Sequence, residues 1–220
     1  MGWKRKLWTG AGLLLLFALW TVLIRYIDVQ AVGPKGTKVG FASLNARFHR
    51  LTGVNMTLYM VTDWLGLVPV FICGCFGLIG LRQWILRKKI SRVDPDILLL
   101  GGCYLLVIAG YLFFEMVPVN YRPVLIDGYL EASYPSSTTL LVLSVMPTLA
   151  FQAGRRCVRR TCRRLAAAFS VLFSALMVTG RLVSGVHWFT DIIGSVFLSA
   201  GLFLLYCAAV DLADQKKKHC

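Results

Sequence analysis

Apolar stretches long enough to cross a bilayer alternate along this chain with short clusters of lysine and arginine. A membrane-spanning helix needs roughly 17–25 predominantly apolar residues, and the hydrophobic fraction of 57% exceeds that of an ordinary soluble domain. The qualifying windows lie at about 7–27, 56–79, 97–117, 135–154, 165–183 and 190–210. We therefore predict an all-α polytopic membrane protein, in which residues 1–220 form one bundle of six transmembrane helices.

The first window follows Lys4-Arg5-Lys6 and could be mistaken for a signal peptide, with Val29-Gln30-Ala31 as a cleavage site. Its apolar run is longer than a signal peptide's hydrophobic region, so we expect an uncleaved first span.

A polar segment connects the first two windows, and Phe41, Leu44, Phe48 and Leu51 recur in it at helical spacing. This spacing predicts a short interfacial helix between spans one and two. The same segment carries Arg47, His49 and Arg50. Two interpretations stay open: these side chains are solvated, or they contact lipid headgroups as part of a lid.

The basic residues are distributed unequally between the two sides of the predicted bundle. Seventeen of the 24 lysines and arginines lie on the side that carries both termini, which the positive-inside rule assigns to the cytoplasm. The net charge of +14 therefore reflects topology, and we expect no nucleic-acid partner. With this orientation, the loops at 118–137 and 181–190 both emerge on the outer face.

The seven cysteines do not indicate a disulfide framework, because none lies in a predicted outer loop. Cys157 and Cys162 lie among arginines without nearby histidine or acidic residues, so we expect no metal site there.

The segment from Gly180 to Asp191 concentrates ionisable residues between two strongly apolar windows. Such residues beside a bilayer core are costly, and they mark function by default. His187 and Asp191 are four residues apart, which places them on one face of a helix. Arg181 adds a planar, permanently charged fork suited to phosphate.

The other outer loop contains Tyr121-Arg122-Pro123 and ends in Tyr134-Pro135-Ser136-Ser137-Thr138. We expect Pro135 to be the first residue of the fourth span. The N–H groups and hydroxyls of Ser136, Ser137 and Thr138 would then form an anion site at a helix N-terminus. Together with the arginines and the His–Asp pair, they describe a phosphate pocket with a nucleophile.

These motifs resemble those of the type 2 phosphatidic acid phosphatase (PAP2) superfamily of membrane lipid phosphatases. Arg181-x5-His187-x3-Asp191 is similar to the third family motif. Tyr134 to Thr138 resembles the second, P-S-G-H, and Arg122-Pro123 the end of the first, K-x6-R-P. The motif order and the six-span layout extend the resemblance over nearly the whole chain.

The resemblance implies a lipid phosphatase that needs no metal or other cofactor. His187 would be the nucleophile that forms a phosphohistidine, and Asp191 would orient it. Arg122, Arg181 and Ser136 would hold the phosphoryl oxygens, and we add Ser137 and Thr138 to this phosphate-binding group. The expected partners are the bilayer and a lipid phosphate or pyrophosphate, at the outer face of what we expect to be a bacterial cell membrane.

Two positions depart from the family pattern. Glu115 replaces the lysine of the first motif, and Thr138 replaces the histidine that protonates the leaving group. A lipid alkoxide needs that proton because its conjugate acid resembles water, with a pKa of ~15.7. A lipid phosphate, whose second pKa is roughly 6, can leave as the anion.

The departures therefore favour a lipid pyrophosphate such as undecaprenyl diphosphate or a related polyprenyl diphosphate, although a phosphatidic acid-type monoester stays open. Glu131 or Asp127 is a candidate substitute acid. Both hydrolysis and phosphotransfer stay open as the overall reaction, because the two share the same first step. The alternative is a catalytically impaired family member that binds, senses or transports a lipid phosphate.

Overall fold

Helices make up most of the structure. The computed structural model describes residues 2–218, so Met1, His219 and Cys220 of the predicted domain lie outside the described residues. The helices are α1 (Trp3–Tyr26), α2 (Ala42–Thr52), α3 (Met56–Leu65), α4 (Leu67–Arg87), α5 (Pro95–Met116), α6 (Ser137–Arg156), α7 (Arg160–Val183) and α8 (Phe189–Lys218).

Six helical segments within the described residues are long and apolar enough to cross a membrane, which confirms the predicted class of fold. They are α1, the α3–α4 pair, α5, α6, α7 and α8. Each overlaps one predicted window, but several extend further into flanking polar sequence. The second runs to Arg87 instead of residue 79, because arginine and lysine can lie along a helix end while their charges reach the headgroup region.

The fourth span begins two residues later than predicted. Its first helical residue is Ser137 and its N-cap is Ser136, so Pro135 is not the first residue of the helix. Tertiary bonds hold this approach segment outside the helix. The Tyr134 hydroxyl lies 2.7 Å from Oγ1 of Thr21, and the N–H of Ser136 is donated to the carbonyl oxygen of Asp191 at 3.4 Å.

The first and last spans pack closely against each other. A Cβ at Gly10 would lie 3.1 Å from the carbonyl oxygen of Gly201, and a Cβ at Gly201 would lie 2.7 Å from Leu14. Two glycines therefore permit the close approach of α1 and α8, a contact that small residues commonly allow between membrane helices. At one end of this interface, Nζ of Lys6 pairs with Asp211 at 2.7 Å.

The predicted interfacial helix is α2, and it packs against the beginning of α8. Phe48 stacks on Phe189 with ring centroids 4.1 Å apart. Asn45 is completely buried and bonds Thr190 twice: its amide donates to the hydroxyl at 3.0 Å, and its carbonyl oxygen accepts from the N–H at 3.2 Å. The helix therefore supports the start of α8 as well as covering it.

The loop between α5 and α6 folds back on itself and lies against the loop between α7 and α8. An antiparallel bridge joins Tyr121 to Ala132, and the N–H of Ser133 is donated to the carbonyl oxygen of Asn120 at 2.9 Å. Trp188 fixes the two loops together, because its indole N–H is donated to the carbonyl oxygen of Tyr121 at 2.7 Å. Two segments far apart in sequence thus meet at one end of the bundle.

Candidate active site

His187 lies in the short connection between α7 and α8 and is only 4% exposed. The preceding turn needs glycine at position 185, where φ is +68° and a Cβ would overlap the carbonyl oxygen of Gly53. Nδ1 of His187 lies 3.1 Å from the carbonyl oxygen of Ser133. Because a carbonyl oxygen can only accept, Nδ1 carries the proton, and Nε2 of the neutral ring keeps its lone pair.

Asp191 lies beside His187, as their four-residue spacing in the sequence suggested, but it is too far away for a hydrogen bond. Its Oδ2 lies 3.8 Å from Nδ1 of His187 and accepts the N–H of Trp188 at 3.0 Å. Its Oδ1 accepts the amide of Asn120 at 3.2 Å. The carboxylate is fully buried in the first turn of α8, where the helix dipole favours a negative charge. The backbone of Ser133 is therefore the nearer partner of the imidazole, and Asp191 supplies a fixed charge beside it.

Arg122 faces the free nitrogen of His187. Its Nη1 lies 3.5 Å from Nε2 of His187, and its Nε lies 2.9 Å from a carboxylate oxygen of Glu131. The antiparallel pairing within the loop places these residues opposite each other, since the N–H of Arg122 is donated to the carbonyl oxygen of Glu131 at 3.0 Å. Glu131 thus holds one edge of the guanidinium and leaves Nη1 directed at the histidine.

Arg181 is buried behind this pair, with 1% of its surface exposed. Its Nη1 lies 3.4 Å from both the carbonyl oxygen of Tyr59 and the hydroxyl of Thr62. Its Nη2 lies 3.5 Å from Asp63, whereas its Nε has no hydrogen-bond partner among residues 2–218. One donor of this buried guanidinium is therefore without a partner.

The ring of Tyr59 lies close to both arginines. The guanidinium carbon of Arg181 is 4.9 Å from the ring centroid, and that of Arg122 is 5.7 Å away. Both separations are within the range of cation–π attraction. Tyr59, in the first turn of α3, therefore holds together two cations that would otherwise repel each other.

The three hydroxyl residues at the start of α6 have different environments. The hydroxyl of Ser136 bonds Oγ1 of Thr139 at 3.0 Å, and its N–H is already donated to Asp191. Ser137 lines the same cavity as His187. Thr138 lines a neighbouring apolar groove instead. Of these three hydroxyl residues, only Ser137 lines the cavity. Of the two predicted phosphate-binding arginines, Arg122 lines it and Arg181 does not.

This cavity, which we call the His187 cavity, has a volume of about 180 Å³. Its lining consists of Tyr111, Glu115, Arg122, Glu131, Ala132, Ser133, Tyr134, Pro135, Ser137 and His187. Of the two candidate substitute acids, Glu131 therefore lies in the cavity. Asp127 lies exposed in the turn between Ile126 and Tyr129 and does not line it. No group of three or more histidine, cysteine or acidic side chains that could hold a metal occurs in the described range.

Burial, together with the positive charges of Arg122 and Arg181, lowers the pKa of His187 from 6.5 to about 4. The nearby carboxylate of Asp191 opposes this shift without cancelling it. At neutral pH the ring is consequently uncharged, which is the form that can attack phosphorus.

Sequence reasoning missed Tyr59, Asn120 and the backbone of Ser133. Tyr59 is near one end of a span, where aromatic residues are common for reasons unrelated to catalysis. Asn120 belongs to the loop that carries Arg122, but a single asparagine in a loop matches no sequence motif that would mark it as functional. Asp63, near the end of a span, could be taken for a residue that merely anchors the helix at the membrane interface. In the structure it pairs with Arg181 and so belongs to the site.

The family model described as "PAP2 superfamily" matches residues 69–213 of the chain. The protein belongs to the PAP2 superfamily. Its fold is similar to the crystal structure of the first transmembrane PAP2 type phosphatidylglycerolphosphate phosphatase from Bacillus subtilis, with a TM-score of 0.61.

That similarity covers 94% of this chain and 96% of the Bacillus chain at 19% sequence identity. The identity is low, so the comparison shows the fold of a transmembrane PAP2 phosphatase and does not transfer a substrate. No curated protein sequence matches the chain. The family match includes Arg122, Arg181, His187 and Asp191, while Tyr59 and Asp63 lie before it.

Proposed function

We propose that this PAP2 protein is a metal-independent membrane lipid phosphatase that acts through a phosphohistidine on His187. The observation that carries the proposal is the arrangement around the imidazole. The carbonyl oxygen of Ser133 holds the proton on Nδ1, and Nε2 points at the guanidinium of Arg122. A protein that merely binds a lipid phosphate has no need for a histidine oriented in this way.

In the first step, Nε2 of His187 attacks the terminal phosphorus, and the bond from phosphorus to the bridging oxygen breaks. The lipid leaves with that oxygen and its bonding electrons. Arg122 and Ser137, which line the cavity, stabilise the equatorial oxygens as charge shifts onto the leaving group, and the buried charge of Arg181 behind them adds to the positive potential. The ring becomes positive when the P–N bond forms, and the buried carboxylate of Asp191, 3.8 Å from Nδ1, stabilises that charge.

In the second step, water attacks the phosphohistidine and the P–N bond breaks. Inorganic phosphate is released, and Nε2 regains its lone pair. A different acceptor in place of water would make the same enzyme a phosphotransferase, because only the second nucleophile differs.

The apolar groove beside the cavity supports a lipid substrate. It has a volume of about 320 Å³ and shares Tyr111 and Ser137 with the His187 cavity. Its remaining lining is Asp63, Gly66, Leu67, Val70, Val107, Ile108, Thr138, Leu140 and Leu141. A phosphate in the cavity would therefore have an apolar surface directly next to it for the first carbons of a chain.

The surroundings of the candidate acids support a pyrophosphate as the preferred substrate. Thr138 faces the groove, Asp127 lies exposed in a turn, and Glu131 already pairs with Arg122. None of the three is a free acid beside His187. A polyprenyl diphosphate such as undecaprenyl diphosphate needs no such acid, because a lipid phosphate with a second pKa of roughly 6 leaves as an anion.

The decisive experiment compares phosphate release from undecaprenyl diphosphate and undecaprenyl phosphate, which differ only in the leaving group, and adds phosphatidic acid. We expect release from the diphosphate, an acid-labile phosphoprotein, and the loss of both in His187→Ala. Faster hydrolysis of the monophosphates would refute the pyrophosphate preference. Lipid binding without phosphate release or an adduct would favour the impaired member that binds, senses or transports a lipid phosphate.

We also propose that the His187 cavity opens on the outer face of a cell membrane and that both termini are cytoplasmic. The basic clusters at the ends of α4 and α6 and the cavity lie at opposite ends of the spans, in agreement with the positive-inside rule. A cysteine at the exposed position Tyr129, introduced as Tyr129→Cys, should react with a membrane-impermeant maleimide in intact cells beyond any labelling of the unsubstituted protein. Reaction only after lysis would reverse the orientation.

A further inference from the structure

The turn between α6 and α7 places two thiols in contact at the end of the spans opposite His187. Cys157 is the C-cap of α6, and Cys162 lies in the first turn of α7. Their Sγ atoms are 3.0 Å apart. This separation results from the path of the turn, since the carbonyl oxygen of Cys157 accepts Nε of Arg163 at 2.7 Å. The N–H of Cys157 is held by the carbonyl oxygen of Ala153 at 3.0 Å.

The two thiols are also accessible. Cys162 is exposed and Cys157 is half-buried. The other described cysteines, Cys73, Cys75, Cys103 and Cys207, lie within spans. Within residues 2–218, the pair in the turn is thus the one that a water-soluble reagent reaches without entering the bilayer.

Arginines around the pair attract an anionic reagent. Arg159 and Arg160 lie between the two cysteines, and Arg164 follows them. Arg155 and Arg156, by contrast, are already paired with Asp96 and other aspartates. A small disulfide that carries carboxylates therefore meets complementary charge at the turn.

The two cysteines have different environments. The hydrogen bond with Cys162 raises the pKa of the Cys157 thiol, which keeps Cys157 protonated while that contact lasts. Cys162 is the more exposed of the two, so it meets a reagent in solution first. Cys157 is then in contact with the sulfur that has reacted.

We propose that Cys157 and Cys162 form a reversible thiol modification site for anionic low-molecular-weight disulfides, of which glutathione disulfide is the probe. The Cys162 thiolate attacks one sulfur of the small disulfide, which releases one thiolate and leaves a mixed disulfide. The Cys157 thiolate then attacks Sγ of Cys162, which releases the second small thiolate and closes a Cys157–Cys162 disulfide. The protein loses two electrons and two protons, and the small disulfide is reduced to two thiols.

The basic clusters place this turn on the side assigned to the cytoplasm. That compartment is reducing, so the dithiol is the resting form and the disulfide forms under oxidative load. The site is independent of the proposed phosphatase reaction, which takes place at the other end of the spans.

The test equilibrates the full-length protein in micelles with mixtures of reduced and oxidised glutathione and then traps free thiols with an alkylating reagent. Trypsin cuts after Arg159 and Arg160, so peptides that contain Cys157 and Cys162 stay joined only through a disulfide. We expect this joined pair at oxidising ratios, with reversal by excess reduced glutathione, while Cys73, Cys75, Cys103 and Cys207 are alkylated. Thiols that stay free, or that each carry glutathione without closing, would overturn the proposal.

Two variants sharpen the result. Cys157→Ser removes the resolving thiol, so Cys162 should accumulate as a glutathione adduct. The matched control is Cys73→Ser with Cys75→Ser, a pair two residues apart within α4, which should leave disulfide formation in the turn unchanged. If the control double variant abolished the joined peptides, the reactive pair would be the one in α4 and the assignment would be wrong.

Discussion

Nη1 of Arg122 lies 3.5 Å from Nε2 of His187, so a permanent positive charge stands beside the lone pair of this nitrogen. Two consequences follow from this one relationship. The charge disfavours a second proton on the ring, which keeps the imidazole uncharged. In the proposed reaction it would also attract an anionic phosphoryl group to the place where Nε2 can reach phosphorus. Substrate binding and the protonation state of His187 would then depend on the same arginine.

Replacing Arg122 should affect the chemical step. We expect Arg122→Ala to lower kcat by about 10²–10³-fold, the usual cost of losing a donor to a developing oxyanion. Arg122→Lys should recover only part of this loss, because lysine keeps the charge but not the planar fork. The measurement is the rate of phosphate release from undecaprenyl diphosphate. Unchanged kinetics in Arg122→Ala would show that Arg122 does not hold the phosphoryl group.

The pKa of His187 should lie well below that of an ordinary histidine. Because burial lowers its folded-state pKa to about 4, the ring stays neutral as pH falls and protonates only near that value. The unfolded chain takes up this proton near 6.5, so the free energy of unfolding should decrease as pH falls between these values. NMR of protein labelled at histidine nitrogen measures the pKa, with His187→Gln to assign the resonance. A midpoint at or above 6.5 would contradict the buried, neutral ring.

Tyr59 should matter through its ring and not through its hydroxyl. Each cation–π contact contributes roughly 0.5–2 kcal/mol, so losing both in Tyr59→Leu should lower kcat/KM by about tenfold or more. Tyr59→Phe keeps the ring and should stay close to the wild-type value. Steady-state kinetics of the two variants make the comparison. Equal losses in both would point to the hydroxyl instead.

Asn120 should act through Asp191. Removing its amide in Asn120→Ala leaves the buried carboxylate with one donor fewer, and a hydrogen bond to a charged group is worth about 1.5–3 kcal/mol. We expect a lower free energy of unfolding and a lower kcat. In the Asp191→Asn background the same substitution should cost much less, because the charge it served is absent. If the two losses simply added, Asn120 would have a role unrelated to Asp191.

Thr138→His should change which phosphates are good substrates. An acid restored at this position can protonate an alkoxide leaving group, a contribution typically worth about 10²–10⁴-fold where one is needed. We therefore expect faster hydrolysis of undecaprenyl phosphate and little change for the diphosphate. Thr138→Val is the control for the altered side chain. If the rate of hydrolysis rose for both substrates, or for neither, the missing acid would not be the source of the preference for the diphosphate.

The spans could be predicted from the sequence because each one must be apolar over its whole length to cross a bilayer. The break at Gly66 between α3 and α4 was not predictable in the same way. Residues on both sides of it are apolar, so a hydropathy window reads one continuous span. That break matters for the site, since α3 carries Tyr59 and Asp63 to Arg181.

The site was predictable where chemistry depends on side-chain identity and less so where it depends on backbone. His187 and Asp191 do come close, although α8 begins only at Phe189, between them in the sequence. The nearer partner of the imidazole is a carbonyl oxygen, and any residue at position 133 would supply one. Ser136 shows the reverse case: its hydroxyl suggested a phosphate ligand, but hydrogen bonds with Thr139, Asp191 and Ser195 already use its polar groups.

The close packing of α1 against α8 sets an order of events during biogenesis. Trp20 and Thr21 of α1 bond the backbone of Thr190 and the hydroxyl of Tyr134 at 3.1 and 2.7 Å. The ribosome makes α1 before α8, so α1 stays in the membrane without these contacts until α8 has been inserted. The cavity around His187 is therefore completed only after α8 has been inserted, so a nascent chain that ends before α8 lacks the contacts that support the site.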